Sequence, residues 1–430
     1  MSTITEELRP LLTEMLGGEP RIQIRFWDGS SWGSGRASVI LRSPQALRRL
    51  LYAPGELGFG RAYVAGEIDI EDDIYEVLAE RDRLASPTEH FSFRFGFRAV
   101  LRLLRACARL GVLGLPPAPP PQEAHLRGPL HSKKRDALAI AHHYDVGNDF
   151  YRLVLGETMT YSGAYFERDD MTLDEAQIAK YELICRKLGL EQGMRLLDVG
   201  CGWGGMALHA ARQHGARVVG VTLSLAQADL ARSRVAEAGL SDRVEIRHQD
   251  YRDVADGPFD AISSIGMFEH VGFKELGRYF SVLEGLLGPG GRLLNHAISR
   301  PLGRGGFDRD SFVARYVFPD GELLDVGSVA TAMHGPGLEV RDVESLREHY
   351  ARTLRGWVSN LETNWDEAVA LAGLPRAKIW RLYMAGSALG FEAGRINLHQ
   401  VLGIKVGPDG SSMMPATRAD FVTATLPQGS

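Results

Sequence analysis

The stretch "LLDVGCGWGG", residues 196 to 205, holds residue types whose spacing could do chemistry. An apolar run ends at the carboxylate of Asp198, and Gly200, Gly202 and Gly205 then follow as G-x-G-x-x-G ahead of the helical "MALHAARQHG". Glycines between a strand and a helix let the backbone approach a ligand and aim amide N–H groups at it. Two ligands suit such a turn: a nicotinamide dinucleotide, or the methionine end of S-adenosylmethionine. The pattern also serves as an ordinary tight turn, with Asp198 as a helix cap.

Later strand ends separate the two ligands. A dinucleotide fold offers an acid after its second strand to take ribose hydroxyls, but here that strand runs into "GVTLS", leaving Thr222, Leu223 and Ser224 at the place. S-adenosylmethionine needs an acid at the end of the first strand and polar contacts for adenosine further on. Asp198 meets the first need, and Gln249 and Asp250 in "HQDYRD" meet the second.

These residues must be held by a regular scaffold, and the chain from 172 onward alternates helix and strand: "LDEAQIAKYELICRKLG", "MRLLDVG", "GMALHAARQHG", "ARVVGVTLS", "AQADLARSRVAEAG", then strands "RVEIRHQD", "FDAISSIG" and "GRLLNHAI". Such alternation predicts an α/β fold, a doubly wound and mostly parallel sheet with ligands at the carboxyl ends of its strands. Residues from about 299 to 395 break the alternation and read as a helical cap inserted before a last strand, "HQVLGIKV". Strand-like "RIQIRFWDG" and "ASVILRS" with helical "SPQALRRLLYAP" make residues 1–114 a smaller N-terminal α+β domain. "LPPAPPPQ" predicts a stiff linker over 115–130, leaving 131–430 as the larger domain.

Arg94, Arg98, Arg102, Arg105 and Arg109 recur at intervals of four, four, three and four, one stripe of a helix. That stripe reads either as a solvated face or as a helix on an anionic membrane surface, where each basic residue adds about 1 kcal/mol. "HSKKRD" adds a second basic cluster beyond the prolines. Elsewhere the balance is acidic, with a net charge of −5, which argues against nucleic acid as a partner. The acidic opening and the lack of a bilayer-length apolar run predict a cytoplasmic protein. Cys107, Cys185 and Cys201 lack paired spacing, and the histidines lack ligand spacing, so neither a disulfide framework nor a metal is expected.

"HHYDVGNDFYRLVLGETMTYSGAYFE", "LLDVGCGWGG", "VVGVTLS", "QDYRDV", "GMFEHVG" and "RYVFPDG" occur in the order and at the spacing of the cyclopropane fatty acid synthase family, which the chain resembles over roughly 130–405. "GFGRAYVAGEIDIEDD" extends the resemblance loosely into the N-terminal domain. The resemblance implies a Rossmann-like class I methyltransferase that moves a methyl group from S-adenosylmethionine to the double bond of a mono-unsaturated phospholipid acyl chain. A carbocation is left on the chain, and aromatic rings can stabilise it.

The family's base is a bound bicarbonate, and its contacts carry over to Glu269, His296, the Ile298 backbone and Tyr350. For the cofactor the resemblance carries over Tyr161, Ser162, Gly200, Gly202, Thr222, Leu223, Ser224, Gln227, Tyr251 and Arg252 beside Asp250. Tyr144, Asp145 and Asn148 fall in a segment expected to close over the site. Gly163 departs from the pattern, standing where the cyclopropane synthases carry a cysteine against the base. The missing side chain is expected to leave more room there, to shift the base, and so to favour a methylene-branched product over a cyclopropane.

The resemblance also implies a homodimer working at the inner membrane face; a separate reductase would be needed to saturate a methylene product. Two other readings stand beside this one: an O- or N-methyltransferase of a small polar molecule, and a non-catalytic lipid-binding protein.

Overall fold

The computed structural model of the chain describes residues 3–16, 18–84, 105–124, 126, 128–130, 132–144, 146–303 and 310–419. Arg94, Arg98, Arg102 and Asp145 lie outside the described residues. Packing divides the chain into two units, each assembled from three segments: residues 1–125, 308–319 and 361–389 in the first, and 126–307, 320–360 and 390–430 in the second.

The first unit holds a four-stranded sheet, with β1 (Gln23–Arg25) between antiparallel β2 (Ser31–Trp32) and parallel β3 (Ser38–Leu41), and β4 (Ile68–Glu71) antiparallel to β3. Val39, Leu41, Ile68 and Ile70 alternate into its core, as period-two strands require. Two segments that the sequence reading gave to the cap belong here. Arg381 reaches Glu362 at 2.6 Å, Tyr63 Oη at 3.3 Å and the carbonyl of Ile70 at 3.3 Å. Tyr316 donates to Glu123, a buried carboxylate already clamped by Arg61. The proline stretch is likewise pinned rather than a free spacer, because Ala118 accepts a bond from Arg49 and Glu123 needs its arginine.

The second unit is built on a seven-stranded sheet in the order β10-β11-β9-β8-β5-β6-β7. β5 (Arg195–Val199), β6 (Arg217–Thr222), β7 (Val244–His248), β8 (Phe259–Ile265) and β9 (Leu287–Ser299) run parallel, and β10 (Leu338–Ser345) and β11 (Asn397–Lys405) add an antiparallel edge. Leu196 and Leu197 face opposite sides of β5 and enter two separate cores, one with Ile184, Ala207 and Leu294, the other with Ile262, Phe280 and Leu293. A parallel strand buried on both faces is the outcome that a doubly wound sheet requires.

β10 lay inside the expected helical cap. Its alternation is masked by a register shift between Val340 and Asp342 and by charge on the inward face, where Asp342 is buried. The compensating cation is Lys187, also buried, at 3.0 Å from Asp342 and paired with Glu344 as well; Arg418 holds the other Asp342 oxygen at 2.8 Å. Lys187 ends the helix Leu173–Leu188, which opens on a capping box between Thr172 and Glu175 and closes on left-handed Gly189.

Stripping a buried carboxylate of its only partner costs about 3–5 kcal/mol. Arg418 remains in a Lys187→Met variant, so urea unfolding should show a loss of about 2 kcal/mol. An unchanged midpoint would mean that this pair does not fasten the sheet edge.

Candidate active site

The glycine turn follows β5 as expected. Gly200 and Gly202 have φ of 76° and 54°, conformations that side-chain-bearing residues seldom adopt, and the amides of Gly200 and Cys201 both donate to the Val221 carbonyl. Gly205 opens the helix Gly205–Gln213 beneath Tyr181, where a Cβ would sit 2.2 Å from the tyrosine hydroxyl. Glycine is therefore required there by close approach.

A cleft with about 890 Å³ of empty space, its open mouth included, lies at the carboxyl ends of β5, β6 and β8. Of the sequence-derived residues, Tyr161, Ser162, Asp198, Gly200, Gly202, Thr222, Leu223, Gln227, Gln249 and Tyr251 line it. Asp198 is buried; Ser263 Oγ donates to Oδ1 at 2.7 Å, while Oδ2 lacks a hydrogen-bond partner. Burial raises its pKa to about 6. Thr222 Oγ1 donates to Gln227 Oε1 at 2.9 Å, which fixes the β6 end of the wall.

Other expected residues do not line the cleft. Asp250 is spent on Arg252, which grips both its oxygens and also reaches Asp136. Ser224 caps the helix Leu225–Glu237. Asn148 accepts from the indole of Trp203 at 2.8 Å, so it touches the cleft only through a residue that does line it. Tyr144 ends the helix Lys133–Tyr144, and its side chain lies outside the described residues.

Lys180, Tyr181, Trp203 and Met267 also line the cleft and were missed in the sequence. Lys180 is fully buried, donates to Ser162 Oγ at 3.0 Å, and sits 4.0 Å above the Tyr181 ring. Burial lowers its pKa to about 7, against the pull of Asp198. A signal existed: Gln177, Lys180 and Lys187 occupy the stripe of Ile184, which an amphipathic helix should keep apolar. Gln177 in turn donates to the Ser162 carbonyl at 2.9 Å, and Thr353 Oγ1 accepts from the Ala164 amide at 3.0 Å, so the segment carrying Tyr161 is tied down on both sides.

Glu269 and His296 form a second polar set. Glu269 is buried, and its Oε1 accepts from the Ile298 amide at 2.7 Å. The Ile298 N–H is therefore engaged by the carboxylate, not open to an anion as expected. Ile298 and His296 both belong to β9, so the same strand carries the imidazole and anchors the carboxyl. Gln400 Nε2, a donor, lies 3.2 Å from His296 Nδ1, which leaves the ring proton on Nε2. Glu269 Oε2 and His296 Nε2 are both buried without hydrogen-bond partners. Burial raises Glu269 to about 7 and drives His296 well below its ordinary range, so the ring stays neutral.

Tyr350 is buried edge-on to Trp357, which stacks on Tyr161 at 5.3 Å, giving a continuous aromatic wall. Gly163 is not a vacancy. A Cβ there would lie 2.4 Å from Leu398 Cδ2 and 3.1 Å from Tyr350 Cγ, so the room expected from the missing side chain is already filled.

Residues 131–401 match the family model described as mycolic acid cyclopropane synthetase. The chain is 48% identical over 412 residues to "Probable fatty acid methyltransferase Rv3720" of Mycobacterium tuberculosis, covering 93% of this chain and 94% of that one. It is 35% identical to "Tuberculostearic acid methyltransferase UfaA1" of the same organism, covering 90% and 88%. Among solved structures, a mycolic acid cyclopropane synthase, CmaA1, complexed with SAH and CTAB aligns at 37% identity with a TM-score of 0.59, covering 62% of this chain and 97% of that one.

Overpacking a filled site costs about 1–3 kcal/mol. Gly163→Cys should lower the melting temperature, and Leu398→Ala combined with it should recover much of the loss. A cysteine tolerated without the second change would show that Leu398 does not occupy this space.

Proposed function

From the premise that this chain belongs to the mycolic acid cyclopropane synthetase family of S-adenosylmethionine-dependent methyltransferases, we propose that it methylates the double bond of mono-unsaturated phospholipid acyl chains and yields a methylene-branched product. The observation that carries this reading is the pair of buried, unpartnered atoms Glu269 Oε2 and His296 Nε2, the first anchored to β9 through the Ile298 amide and the second carried on β9. A carbocation must shed a proton, and a neutral imidazole donor together with a carboxyl can hold the anion that accepts it.

When bound, S-adenosylmethionine supplies an electrophilic methyl group, and bicarbonate would supply a base. The residues present fit both. Asp198 Oδ2 is an acceptor awaiting a donor inside the cleft, and its charge suits a cationic ligand. An isolated alkene is a weak nucleophile, so the protein must align it and exclude water, a task for the wall of Tyr161, Trp357 and Tyr350. The faces of those rings favour positive charge developing beside them. His296 Nε2–H is a neutral donor for an anion. Glu269 donates from Oε2 when protonated and repels an anion when ionised.

Gly163 supports the methylene outcome by withholding a thiol from the anion, although Leu398 fills the space. A product of that kind needs a reductase acting elsewhere to become a saturated branch. Exposed Arg105 and Arg109, followed by exposed Leu113 and Leu115, support docking on an anionic membrane surface. Among the described residues no helix is long and apolar enough to cross a membrane. The homodimer implied by the resemblance stays part of the proposal.

Proton NMR of lipids extracted after incubation with S-adenosylmethionine and mono-unsaturated phospholipid vesicles should show exocyclic vinylidene signals. Cyclopropyl signals would overturn the methylene product, and unmodified lipid the substrate. Cosedimentation with anionic vesicles should weaken as salt is raised, and salt-independent binding would remove the arginines from the docking surface.

A carboxyl whose pKa is raised holds its proton below that value and loses it above. Activity resting on the protonated Glu269 is therefore present below about pH 7 and declines as pH rises through it. Glu269→Gln keeps a donor that does not titrate, so the decline should vanish from its kcat/KM profile. A limb that persists in the variant would assign the titration elsewhere.

A further inference from the structure

At the far end of the helix Leu173–Leu188 a cluster stands apart from the chemistry described above. Cys185 Sγ and one ring nitrogen each of His209 and His214 lie within 4.8 Å of one another. Glu182, one turn before Cys185, places Oε2 at 3.1 Å from His209 Nε2 and 3.0 Å from His214 Nε2.

The side chains converge on one point. His214 Nδ1 lies 3.3 Å from the Leu190 carbonyl, so its Nε2 faces inward, with that of His209, onto Glu182 Oε2. The buried Cys185 thiol adds a soft donor that an imidazole–carboxylate pair does not use.

We propose that Cys185, His209, His214 and Glu182 form a four-coordinate site for a zinc ion. One sulfur, two imidazoles and one carboxylate are the mixed set that zinc accepts in tetrahedral geometry. The charges close, because a divalent ion meets one thiolate and one carboxylate. Binding forms a zinc–sulfur bond and releases the thiol proton to solvent, with no change of oxidation state. A tetrahedron with bonds of about 2.0–2.3 Å has edges of about 3.5 Å, so Cys185 and the two imidazoles must draw in by an ångström or so, while Glu182, which meets both imidazoles but stands outside the 4.8 Å group, must turn toward the sulfur. Burial deepens from Glu182, 36% exposed, through His214 and His209 to fully buried Cys185, which gives the ion a way in.

Four protein ligands leave no open position, so the ion acts as a clamp. The helices it joins are walls of the cleft: one carries Gln177 and Lys180, and the other begins at the glycine turn. Tyr181, whose hydroxyl lies over Gly205, also packs against the His209 ring at 5.8 Å. No metal was expected from the sequence because spacing rules look along one segment, whereas these ligands come from two helices and the residue that caps the second.

The test uses the full chain, stripped with a chelator and titrated with cobalt(II) as a spectroscopic probe. One equivalent should give the intense visible bands of tetrahedral cobalt and a near-ultraviolet thiolate charge-transfer band, and zinc should displace it and raise the melting temperature. Cys185→Ser should lose the charge-transfer band. Glu182→Gln, at the exposed mouth where folding is least at risk, should bind cobalt at least about tenfold more weakly. Absence of saturable binding, an octahedral spectrum, or a charge-transfer band surviving in Cys185→Ser would each overturn the site. A melting temperature that follows pH through the imidazole range with no response to metal would assign the cluster to a proton instead.

Discussion

Asp198 is a carboxylate withdrawn from water at the end of the central strand, and burying such a group is costly unless neighbours compensate. Ser263 supplies one hydrogen bond from the adjacent strand, and Lys180 supplies an opposite charge from the helix Leu173–Leu188. Lys180 is itself buried and is answered by Ser162, whose carbonyl is answered by Gln177. The requirement propagates: one charge at the strand end obliges a loop thirty-odd residues upstream in sequence to lie along a particular helix face. Tyr161 rides on that loop, so the aromatic wall is positioned by electrostatics that begin at Asp198.

The two polar sets of the unit are joined through backbone. Gly266, which lines the cleft, donates to the His296 carbonyl at 2.9 Å. The strands β8 and β9 pair in parallel register there, Ile265 against His296. A shift of β9 would therefore displace the neutral imidazole relative to the cleft, and Gln400 on β11 holds the same ring from the other side. Sheet register thus does for His296 what side-chain bonds do for Tyr161.

Much of this was legible before any coordinates. The parallel strands declared themselves as apolar runs between helical periods, and the glycine turn, Asp198, Thr222 and Gln249 fell at strand ends where a ligand belongs. Illegible features share one property: they depend on a partner remote in sequence. β10 was hidden because Asp342 faces inward on account of Lys187. Asp250 was misassigned to the cleft because Arg252 claims it, a pairing that "QDYRD" allows but does not announce. The space beside Gly163 could not be judged without knowing that Leu398 fills it. Lys180 was visible as a polar intruder on an apolar stripe, yet only the fold says what it serves.

The first unit is discontinuous, and that bears on how the chain is made. Its early segment ends at residue 125, while Lys378 and Arg381, which answer Asp69, Tyr63 and the Ile70 carbonyl, arrive only after most of the second unit has been synthesised. At ribosomal rates of about 5–20 residues per second the gap amounts to tens of seconds. Until then Asp69, Tyr63 and the Ile70 carbonyl lack the partners that close this unit, so a fragment cut after the proline segment cannot complete it.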